Sequence, residues 1–446
     1  MEKISLPEQV IQIITALEKS GEEAYAVGGC VRDSLLGRIP KDWDITTSAK
    51  PEKVKQLFRH TVDTGIEHGT VTVLLGREGF EVTTYRIDGK YEDGRHPSKV
   101  IFTPSLSEDL RRRDFTINAM AYNDRCGLVD LFGGREDLSG RVIRCVGDAK
   151  ARLGEDALRI MRAVRFAAQL DFAIEPDTAG AAMDLAPNLR LISAERVREE
   201  LVKLLTSDHP EKLRDLYQMG ITDVVLPEFD RIMRQEQNGK HHDRTVGEHT
   251  ISALQHCRAD RVLRLTMLLH DIAKPDVAAV DERGIWQFPG HAEAGARAAA
   301  GILRRLKFDN ETIRAVTVLV REHSMYPDLQ EEAIRRSICR TGEELYPLYL
   351  EVRRADILAQ KKEGQAKRLA HMDQVEAIWK KILGKGDCLS LKHLQIDGRD
   401  LIRDGMRPEK EIGRVLQALL DDVLADPSHN RKEYLLSESR KLRKEE

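Results

Sequence analysis

The chain has 446 residues, with 71 Lys and Arg against 74 Asp and Glu, a net charge of −3, 33% charged residues and 5% aromatic residues. This length accommodates roughly two to four domains with well-formed cores, and the composition suits a helix-rich soluble protein. The six cysteines form no Cys-x-x-Cys pair and no run of about 18 apolar residues occurs, which argues against a zinc ribbon, a disulfide scaffold, a membrane span and a secretory signal, and leaves a reducing cytoplasm as the expected location.

The first informative stretch follows a predicted amphipathic helix at residues 7–20. Gly28 and Gly29 allow the backbone to approach a phosphate closely, and a helix that begins just after them would direct its N–H groups towards that phosphate. Asp42 and Asp44 are separated by one residue, so in a strand they share a face and could hold two divalent metals. The alternative for an isolated Asp-x-Asp is a solvated strand end.

Two short apolar runs, 71–75 and 80–85, are separated by glycines and predict a β-hairpin. Glu81 lies on the face opposite its apolar neighbours. It is either a third carboxylate beside Asp42 and Asp44 or a charge at the strand edge. Residues 86–105 are polar and rich in turn-forming residues, which predicts a mobile loop.

Arginines crowd the region from 111 to 165, and such a local basic surface can attract a phosphate backbone although the whole chain is slightly acidic. In the predicted helix that ends this region, Asp156, Arg159 and Arg162 recur every three residues and share a broad face. Arg165 lies farther round. Aspartate offers acceptors and arginine a fork of donors, which together can match the hydrogen-bonding edge of a base. From spacing alone, an i, i+3 salt bridge on a solvated helix is the stronger alternative.

Four stretches, taken in order, resemble the motifs of the tRNA nucleotidyltransferase and bacterial poly(A) polymerase family, within the DNA polymerase beta-like superfamily. They are Val27–Asp33 with Asp42–Asp44, then Arg112–Met120, Glu155–Phe166 and Ser193–Leu201. The motifs are long, occur in the family's order and cover residues 22–205. Chance is therefore a poor explanation of the match.

This resemblance implies template-independent addition of CCA to the 3′ end of tRNA from CTP and ATP, with release of diphosphate. Asp42 and Asp44 would be the catalytic pair and would bind Mg²⁺, one ion activating the 3′-hydroxyl of the primer and the other steadying the triphosphate. The residues expected to bind the nucleotide are Gly29, Arg32, Arg113, Asp156, Arg159, Arg162 and Arg165. Asp114 could pair with Arg113 and fix its orientation. In the family, the Glu-Asp-x-x-Arg element selects the base, so protein side chains rather than a template would choose CTP and then ATP.

The C-terminal half carries a second candidate metal site. Its residues are His249, His270, Asp271 and Asp356, each in a predicted helix. Their order resembles the HD phosphohydrolase superfamily, and the resemblance implies that these four residues ligate a divalent metal. Histidine with carboxylate ligands suits a transition metal better than Mg²⁺. His291 and His323 are further candidate ligands, and both an active phosphohydrolase and a retained scaffold fit this pattern.

Together these patterns predict an α+β protein: a small N-terminal polymerase-beta-like nucleotidyltransferase sheet domain followed by an all-helical neck, HD domain and tail. The predicted domains are the nucleotidyltransferase head at 1–145, the helical neck with its base-recognition helix at 146–230, the HD domain at 231–365 and the tRNA-binding tail at 366–446. The tail resembles the last module of many tRNA nucleotidyltransferases, although a dimerising or capping module is an alternative. The oligomeric state is not determined by these patterns.

Three other functions were weighed. A specialised A-adding or CC-adding enzyme would differ in the loop Arg86–Pro104, which in the family helps the switch from CTP to ATP; the long loop disfavours a CC-only enzyme and is compatible with an A-only one. A poly(A) polymerase commonly carries a basic C-terminal extension, which the HD domain and tail replace here. An HD phosphohydrolase that uses its N-terminal half only to bind RNA is disfavoured by the intact Asp42 and Asp44.

Overall fold

A computed structural model describes residues 3–89, 100–239, 244–407 and 411–443. The chain divides into two compact units, Met1–Pro227 and Glu228–Glu446. The first unit combines a β-sheet with helices and the second is almost entirely helical, which confirms the predicted α+β class. The finer division into head, neck, HD domain and tail stays a prediction. Within the described ranges, no helix combines the length and the apolarity needed to cross a membrane.

The strands are short and most lie in the first 130 residues. They are β1 Ala24–Val27, β2 Ile45–Thr47, β3 Thr61–Gly65, β4 Thr70–Leu75, β5 Glu78–Thr84, β6 Arg86–Asp88, β7 Val100–Phe102, β8 Met120–Asn123, β9 Gly127–Asp130, β10 Val142–Ile143, β11 Ala173–Ile174, β12 Ala279–Val280 and β13 Trp286–Gln287.

Seven of these strands form one mixed sheet in the order β3-β4-β5-β2-β1-β8-β9. The predicted hairpin is confirmed, because β4 pairs antiparallel with β5 and Val71 lies opposite Val82. Only β2 and β5 are parallel neighbours in this sheet, with Ile45 opposite Val82. Along β5 the alternation buries Phe80 and Val82 and leaves Glu81 exposed on the other face. Strand β2 therefore enters the sheet beside the strand that carries Glu81.

The segment 86–105 differs from the predicted loop at both ends. Strands β6 and β7 pair antiparallel, with Ile87 opposite Ile101. Three of the six paired residues, Ile87, Val100 and Ile101, are β-branched, which favours a pleated pairing. Residues 90–99, including Asp93-Gly94-Arg95, lie outside the described residues. Two short paired strands therefore lie within the segment that the sequence predicted to be a loop.

Helices make up the rest of both units. In the first unit they are α1 Glu8–Lys19, α2 Gly29–Leu35, α3 Pro51–Leu57, α4 Leu106–Arg111, α5 Gly134–Gly140, α6 Ala149–Glu155, α7 Leu158–Leu170, α8 Pro176–Leu185, α9 Ala194–Leu205, α10 Leu213–Gln218 and α11 Thr222–Val225. They continue with α12 Pro227–Arg234, α13 Val246–Gln255, α14 Arg261–Leu269, α15 His291–Arg305, α16 Asn310–Glu322, α17 Glu331–Thr341, α18 Tyr346–Ala359, α19 Gln365–Lys385, α20 Gly398–Arg403, α21 Glu411–Ala425 and α22 Lys432–Leu442. Helix α1 confirms the amphipathic helix predicted at 7–20.

The predicted base-recognition helix is two helices with a break between them. Helix α6 ends at Glu155, and Asp156 has a non-helical backbone, with φ −139° and ψ 106°. The Asp156 side chain accepts a hydrogen bond from the amide of Leu158 (3.0 Å), the first residue of α7. Aspartate near a helix start commonly takes such an amide, which otherwise has no partner within the helix. Asp156 therefore lies at the junction and only the arginines lie on α7.

The second unit has an extended apolar core. Tyr346, Tyr349, Ile382 and Leu419 are among its buried members, and they come from α18, α19 and α21. In the tail, the Asp397 side chain caps α20 and forms a reciprocal capping box with Asp400. Because Ile382 and Leu419 belong to the predicted tail, the tail packs into the apolar core of its own unit.

We expect Gly134→Ala to destabilise the first unit. A Cβ atom at residue 134 would lie 2.4 Å from the carbonyl oxygen of Thr116 and within 3.0 Å of two side-chain atoms of Met120. Such overpacking costs about 1–3 kcal/mol of unfolding free energy. The matched control is Gly140→Ala at the other end of α5, where the Cβ atom meets only Val142 at 3.7 Å. Chemical denaturation of both variants tests this, and equal stability of the two would contradict it.

Candidate functional site

The glycine pair forms the turn between β1 and α2. Gly28 has φ +82° and ψ −128°, a conformation that residues with a side chain rarely adopt. Its amide donates to the carbonyl of Met120 (3.1 Å), so the turn is fixed to the neighbouring strand β8. A Cβ atom at residue 28 would lie 2.9 Å from Nη1 of Arg113. The absence of a side chain on Gly28 therefore leaves room for the Arg113 guanidinium beside the turn.

Asp42 and Asp44 lie in the segment that leads into β2, because regular strand pairing begins only at Ile45. The prediction that both residues lie on a strand is wrong, because the strand begins one residue after Asp44. The amide of Val27 donates to the carbonyl of Asp44 (3.0 Å), which attaches the segment to the end of β1. Both residues are exposed to solvent as a whole, although neighbouring protein atoms shield part of the Asp44 carboxylate. They are thus accessible to a ligand at the edge of the sheet.

Three carboxylates influence one another at this edge. The pKa of Asp44 is raised, chiefly because the surrounding protein desolvates its carboxylate; the charges of Glu81 and Asp42 raise it further, while Arg113 opposes the shift. The parallel register of β2 with β5 explains the role of Glu81, since Asp44 and Glu81 each immediately precede a residue of the pair Ile45–Val82. Hard divalent cations prefer such oxygen donors, so the donor set fits a divalent metal.

Arg32 is held inside the site by several partners. Its side chain is buried, with Nη2 2.8 Å from Asp33 and Nη1 donating to Oδ1 of Asn118 (2.7 Å). Its guanidinium also lies 5.1 Å from the centre of the Phe166 ring. A cation fixed in this way loses little side-chain freedom when an anion binds.

Asp114 pairs with Arg162. The sequence-based suggestion that it pairs with Arg113 is wrong. Nε of Arg162 donates to Oδ2 of Asp114 (2.8 Å), and Nδ2 of the Asn118 side chain donates to Oδ1 (3.2 Å). Although burial opposes the shift, Arg162 holds the pKa of Asp114 well below its usual range. Arg113 instead lies 3.6 Å from the buried carboxylate of Asp109. The Arg162–Asp114–Asn118–Arg32 chain of contacts therefore connects α7 with the glycine turn.

The other charged residues predicted to bind the nucleotide are also paired. Nε of Arg165 lies 2.6 Å from Glu200, and Nη2 of Arg196 lies 2.8 Å from Asp156. Nη1 of Arg159 contacts Glu155 and donates to the carbonyl of Arg152 (2.8 Å). The i, i+4 pair Arg159–Glu155 is local to the α6–α7 segment; the other pairs join different elements. The salt-bridge alternative based on i, i+3 spacing thus does not describe these contacts.

One cavity of about 670 Å³ gathers part of the predicted set. Gly29, Arg32, Asp42, Asp44 and Arg165 line it, whereas Arg113, Asp156, Arg159 and Arg162 are absent from its lining. Sequence analysis did not single out three cations that also line it, Arg38, Lys41 and Lys203. Of these three, Lys41 could have been identified from the sequence, because it directly precedes Asp42. The cavity combines exposed carboxylates with several cations, as expected for a site that holds a metal and a polyphosphate.

In the second unit, the four residues of the second candidate metal site lie together. Nε2 of His249 is 3.0 Å from Oδ1 of Asp356 and 3.3 Å from Nε2 of His270. Nε2 of His270 is 3.2 Å from Oδ2 of Asp271. All four side chains are buried. His249 and Asp356 are 107 residues apart in sequence, so the helical fold brings them together.

His291 and His323 extend this cluster on the other side of Asp271. Their Nε2 atoms are 3.3 Å apart and lie 3.7 Å and 3.6 Å from Oδ1 of Asp271. The cluster thus contains two groups that could hold a metal, His249–His270–Asp271 and Asp271–His291–His323, in each of which the ligand atoms lie within 4.8 Å of one another. Asp271 belongs to both groups. We call these five residues, with Asp356, the histidine–aspartate cluster.

Backbone carbonyls orient three of these imidazoles. Nδ1 of His270, His291 and His323 contacts the carbonyls of Met267, Phe288 and Val320 at 2.8, 2.8 and 2.7 Å. If each Nδ1 carries the proton, each Nε2 presents a lone pair to the cluster, which is the tautomer that metal ligation requires. In that tautomer, the 3.3 Å between the Nε2 atoms of His291 and His323 places two lone pairs against each other, an arrangement that a cation between them would relieve.

Two buried cations lie at the edges of the histidine–aspartate cluster. Nζ of Lys274 is 2.8 Å from Oδ2 of Asp271, and Nη1 of Arg353 donates to Oδ2 of Asp356 (2.8 Å). Despite burial, the adjacent His270 and Lys274 hold the pKa of Asp271 well below its usual range, and His249 and Arg353 do the same for Asp356. Both carboxylates are therefore ionised and able to ligate a cation.

Three family models match this chain. Residues 24–144 match the poly(A) polymerase head domain, residues 171–233 the probable RNA- and SrmB-binding site of polymerase A, and residues 284–438 the tRNA nucleotidyltransferase domain 2. The first match contains the glycine turn and the carboxylates. The third covers much of the second unit and does not identify an HD domain there, so that assignment stays a prediction.

Relatives and solved structures of similar chains agree with these matches. A CCA-adding enzyme of Levilactobacillus brevis is 37% identical over 433 residues, which is 95% of each chain. One of Leuconostoc mesenteroides is 53% identical over 219 residues, a match that spans 48% of this chain and 55% of that relative. The crystal structure of the Bacillus stearothermophilus CCA-adding enzyme in complex with CTP has a TM-score of 0.73 and 29% identity, covering 99% of both chains.

Proposed function

This chain belongs to the family of CCA-adding enzymes, and we propose that it adds C, C and A in turn to the 3′ end of tRNA. CTP and ATP are the substrates, diphosphate is released, and no nucleic-acid template directs the order. The observation that carries this function is the cavity that Asp42, Asp44 and Arg32 line together with Gly29 of the Gly28-Gly29 turn. It lies within a chain that matches a CCA-adding enzyme along nearly its whole length.

The residues of the cavity have separate roles in this reaction. Asp42 and Asp44 are the residues that would hold Mg²⁺, and Glu81 is placed to support them. Bound Mg²⁺ supplies Lewis-acid stabilisation of the charge that develops on phosphate oxygens. Arg32 and the start of α2 bind the triphosphate, and Asn118 keeps the Arg32 guanidinium directed into the cavity. Arg113, which lies beside the glycine turn, contacts the incoming nucleotide.

Base selection depends on Asp156, Arg159 and the arginines farther along α7. Cytosine and adenine both present an exocyclic amine, whereas uracil and guanine present a carbonyl oxygen at the corresponding edge. A carboxylate accepts hydrogen bonds from the amine and repels the carbonyl oxygen, while an arginine donates to ring acceptors. This element can therefore accept both CTP and ATP and reject the other two nucleotides.

We expect Asp156→Ala and Arg159→Ala to relax nucleotide choice more than they weaken triphosphate binding. Each removes a contact to the base edge and leaves Arg32, Asp42 and Asp44 in place. One well-made base contact contributes about 1–3 kcal/mol of discrimination. Incorporation of each of the four nucleotides by both variants measures the effect. An unchanged order of preference would show that these side chains only stabilise the α6–α7 junction.

A single assay distinguishes CCA addition from the related activities of an A-adding enzyme and a poly(A) polymerase. The purified protein is given tRNAs that end before CCA, after C and after CC, with CTP and ATP alone and together. Addition of C, C and A to the shortest tRNA supports the proposed function. Addition of only A to the CC-ended tRNA would identify an A-adding enzyme, and long A tails would identify a poly(A) polymerase.

The second unit supports a second candidate function, metal-dependent phosphohydrolysis in an HD-type site. The observation that favours it is the convergence of His249, His270, Asp271 and Asp356 in a buried cluster that also includes His291 and His323. Its imidazole and carboxylate donors fit a transition metal. When bound, such a metal supplies an activated water for attack on a phosphate ester. Removal of a phosphate from a damaged tRNA end would restore the 3′-hydroxyl that the first unit extends.

We also propose the domain bounds of the chain and its location in the cell. The head, neck, HD domain and tail extend over 1–145, 146–230, 231–365 and 366–446, and the tail holds the body of the tRNA. The cytoplasm, which contains tRNA and keeps the cysteines reduced, is the proposed location.

A further inference from the structure

A short hairpin beside the histidine–aspartate cluster presents apolar side chains to solvent. Its strands β12 and β13 pair antiparallel, with Val280 opposite Trp286. Val280 is 52% exposed, and Trp286 is partly exposed. The ring of Phe288, two residues farther on, lies within 10° of parallel to that of Trp286, and the ring centres are 6.5 Å apart. Two nearly parallel aromatic rings thus stand on this hairpin.

Phe288 connects the hairpin to the histidine–aspartate cluster in two ways. Its carbonyl contacts Nδ1 of His291 (2.8 Å), which belongs to the cluster. Nζ of Lys274 lies 5.2 Å from the centre of the Phe288 ring and 2.8 Å from Oδ2 of Asp271. One ammonium group is therefore next to both an aromatic ring and the carboxylate that the two candidate metal groups share. The rings lie beside the proposed metal site.

Gln237 has a buried amide group whose donor end is unused. Its Oε1 accepts from Nζ of Lys274 (3.0 Å), and only 5% of the residue is exposed. Because an ammonium group only donates, the oxygen of the amide must face Lys274 and the nitrogen must point elsewhere. Among the residues that the structure describes, Nε2 of Gln237 has no hydrogen-bond partner. A buried donor without a partner is costly, and an oxygen atom of a ligand would remove that cost.

The next residue, Asn238, attaches the hairpin to the same segment. Its Nδ2 donates to the carbonyl of Gly284 (2.9 Å), and its Oδ1 accepts from the amide of Trp286 (2.9 Å). Gln237 and Asn238 are adjacent, so one short stretch of chain holds both Lys274 and the hairpin. The unused donor and the aromatic rings are thus positioned together next to the cluster.

We propose that Gln237, Trp286 and Phe288 form a nucleotide site for the histidine–aspartate cluster. The rings stack against the base of a nucleoside phosphate ester, and Nε2 of Gln237 donates to an oxygen of its phosphate. Every base has a π face, so stacking distinguishes esters that carry a base from esters that carry none. The inference rests on the second candidate function and names its substrate class. In the hydrolysis, the oxygen of water forms a bond to phosphorus, the bond from phosphorus to a ribose oxygen breaks, and that oxygen takes a proton from the water.

The test compares adenosine 2′,3′-cyclic phosphate with the 2′,3′-cyclic phosphate of methyl riboside, which has no base. With Mn²⁺ or Ni²⁺, the wild type should hydrolyse the adenosine ester with the higher kcat/KM. Trp286→Ala should lower the ratio of the two kcat/KM values about tenfold, as expected for the loss of a base–aromatic stack. Gln237→Glu keeps the acceptor for Lys274 and loses the donor, so it should lower both values and leave their ratio unchanged.

A second readout does not depend on hydrolysis. In metal-free buffer, 2′-AMP should quench the indole fluorescence of the wild type, and Trp286→Leu, which keeps an apolar side chain but no ring, should lose part of this quenching. Tyr434→Ala, at a stacked aromatic residue of the tail, is the control for loss of a ring elsewhere in the unit. A free nucleotide and an RNA end share this chemistry, and a tRNA that ends in a 2′,3′-cyclic phosphate, compared with the free nucleotide, identifies which of them the site takes.

Two outcomes would overturn the inference and leave the phosphohydrolase function standing. They are equal kcat/KM for the two esters in the wild type, and an unchanged ratio in folded Trp286→Ala. Absence of hydrolysis of every ester would instead reject that function, and the quenching by 2′-AMP then decides whether the nucleotide site exists. Thermal denaturation identifies misfolded variants, and Trp286→Leu replaces Trp286→Ala if the alanine variant does not fold.

Discussion

Asp44→Ala is expected to reduce nucleotide addition at least a hundredfold, and Asp42→Ala to have a similar effect. Each change removes an oxygen donor from the carboxylate group that includes Glu81, and with it the charge that holds a divalent metal beside the triphosphate. A hundredfold loss corresponds to about 2.7 kcal/mol of transition-state stabilisation. Single-turnover addition of CTP to tRNA that lacks CCA, at saturating Mg²⁺, measures it.

The thermal midpoint of each variant distinguishes a loss of nucleotide addition from misfolding. Because the folded protein raises the pKa of Asp44, its ionised form is less favourable in the folded chain than in the unfolded one near neutral pH. Asp44→Asn should therefore leave the thermal midpoint in metal-free buffer unchanged or slightly higher while activity is lost. Asp63→Ala is the matched control, since Asp63 is an exposed carboxylate on β3 of the same sheet that pairs with Lys55. Near-normal addition by a folded Asp44 variant would contradict the catalytic assignment.

The second large effect is expected in the histidine–aspartate cluster. His270→Ala combined with Asp271→Ala should abolish Mn²⁺- or Ni²⁺-stimulated hydrolysis of phosphate esters, including a 2′,3′-cyclic phosphate, and leave CCA addition intact. The change removes Asp271, which belongs to both candidate metal groups, and the His270 ligand beside it. The same variant should lose the rise in thermal midpoint that metal gives the wild type, because ligand binding at 100 times Kd stabilises by about 2.7 kcal/mol.

Two further variants separate loss of the metal site from misfolding and from loss of an unrelated histidine. Removing Asp271 leaves the buried ammonium of Lys274 without its 2.8 Å partner, which can itself destabilise the unit. Asp271→Asn keeps an acceptor for Lys274 while weakening metal ligation, so it replaces the double variant if that does not fold. His256→Ala, at the exposed end of α13, is the control for loss of a histidine outside the cluster. Absence of metal binding and of hydrolysis in the wild type would identify the cluster as a structural scaffold.

Local patterns made much of the first unit predictable. The hairpin of β4 and β5 follows from alternation and glycine turns, and these depend on near neighbours in sequence. The same is true of the glycine turn followed by two carboxylates. The ends of elements were less predictable: Asp44 precedes its strand, and Asp156 separates two helices because its side chain takes the Leu158 amide. The residue at which a strand or helix begins or ends depends on competition between local hydrogen bonds of similar strength.

By itself, the sequence predicted the fold class, the order of the motifs and the residues of both candidate sites, because long ordered motifs resemble those of known families; spacing alone favoured a salt bridge for the Asp156 element. Only the tertiary structure decided the partners. Arg162 pairs with Asp114, 48 residues away, and Asp156 with Arg196, 40 residues away. It also decided that Asp271 stands between two pairs of histidines. An ion pair forms wherever packing brings opposite charges within a few ångströms, and helix packing, not sequence separation, fixes those distances.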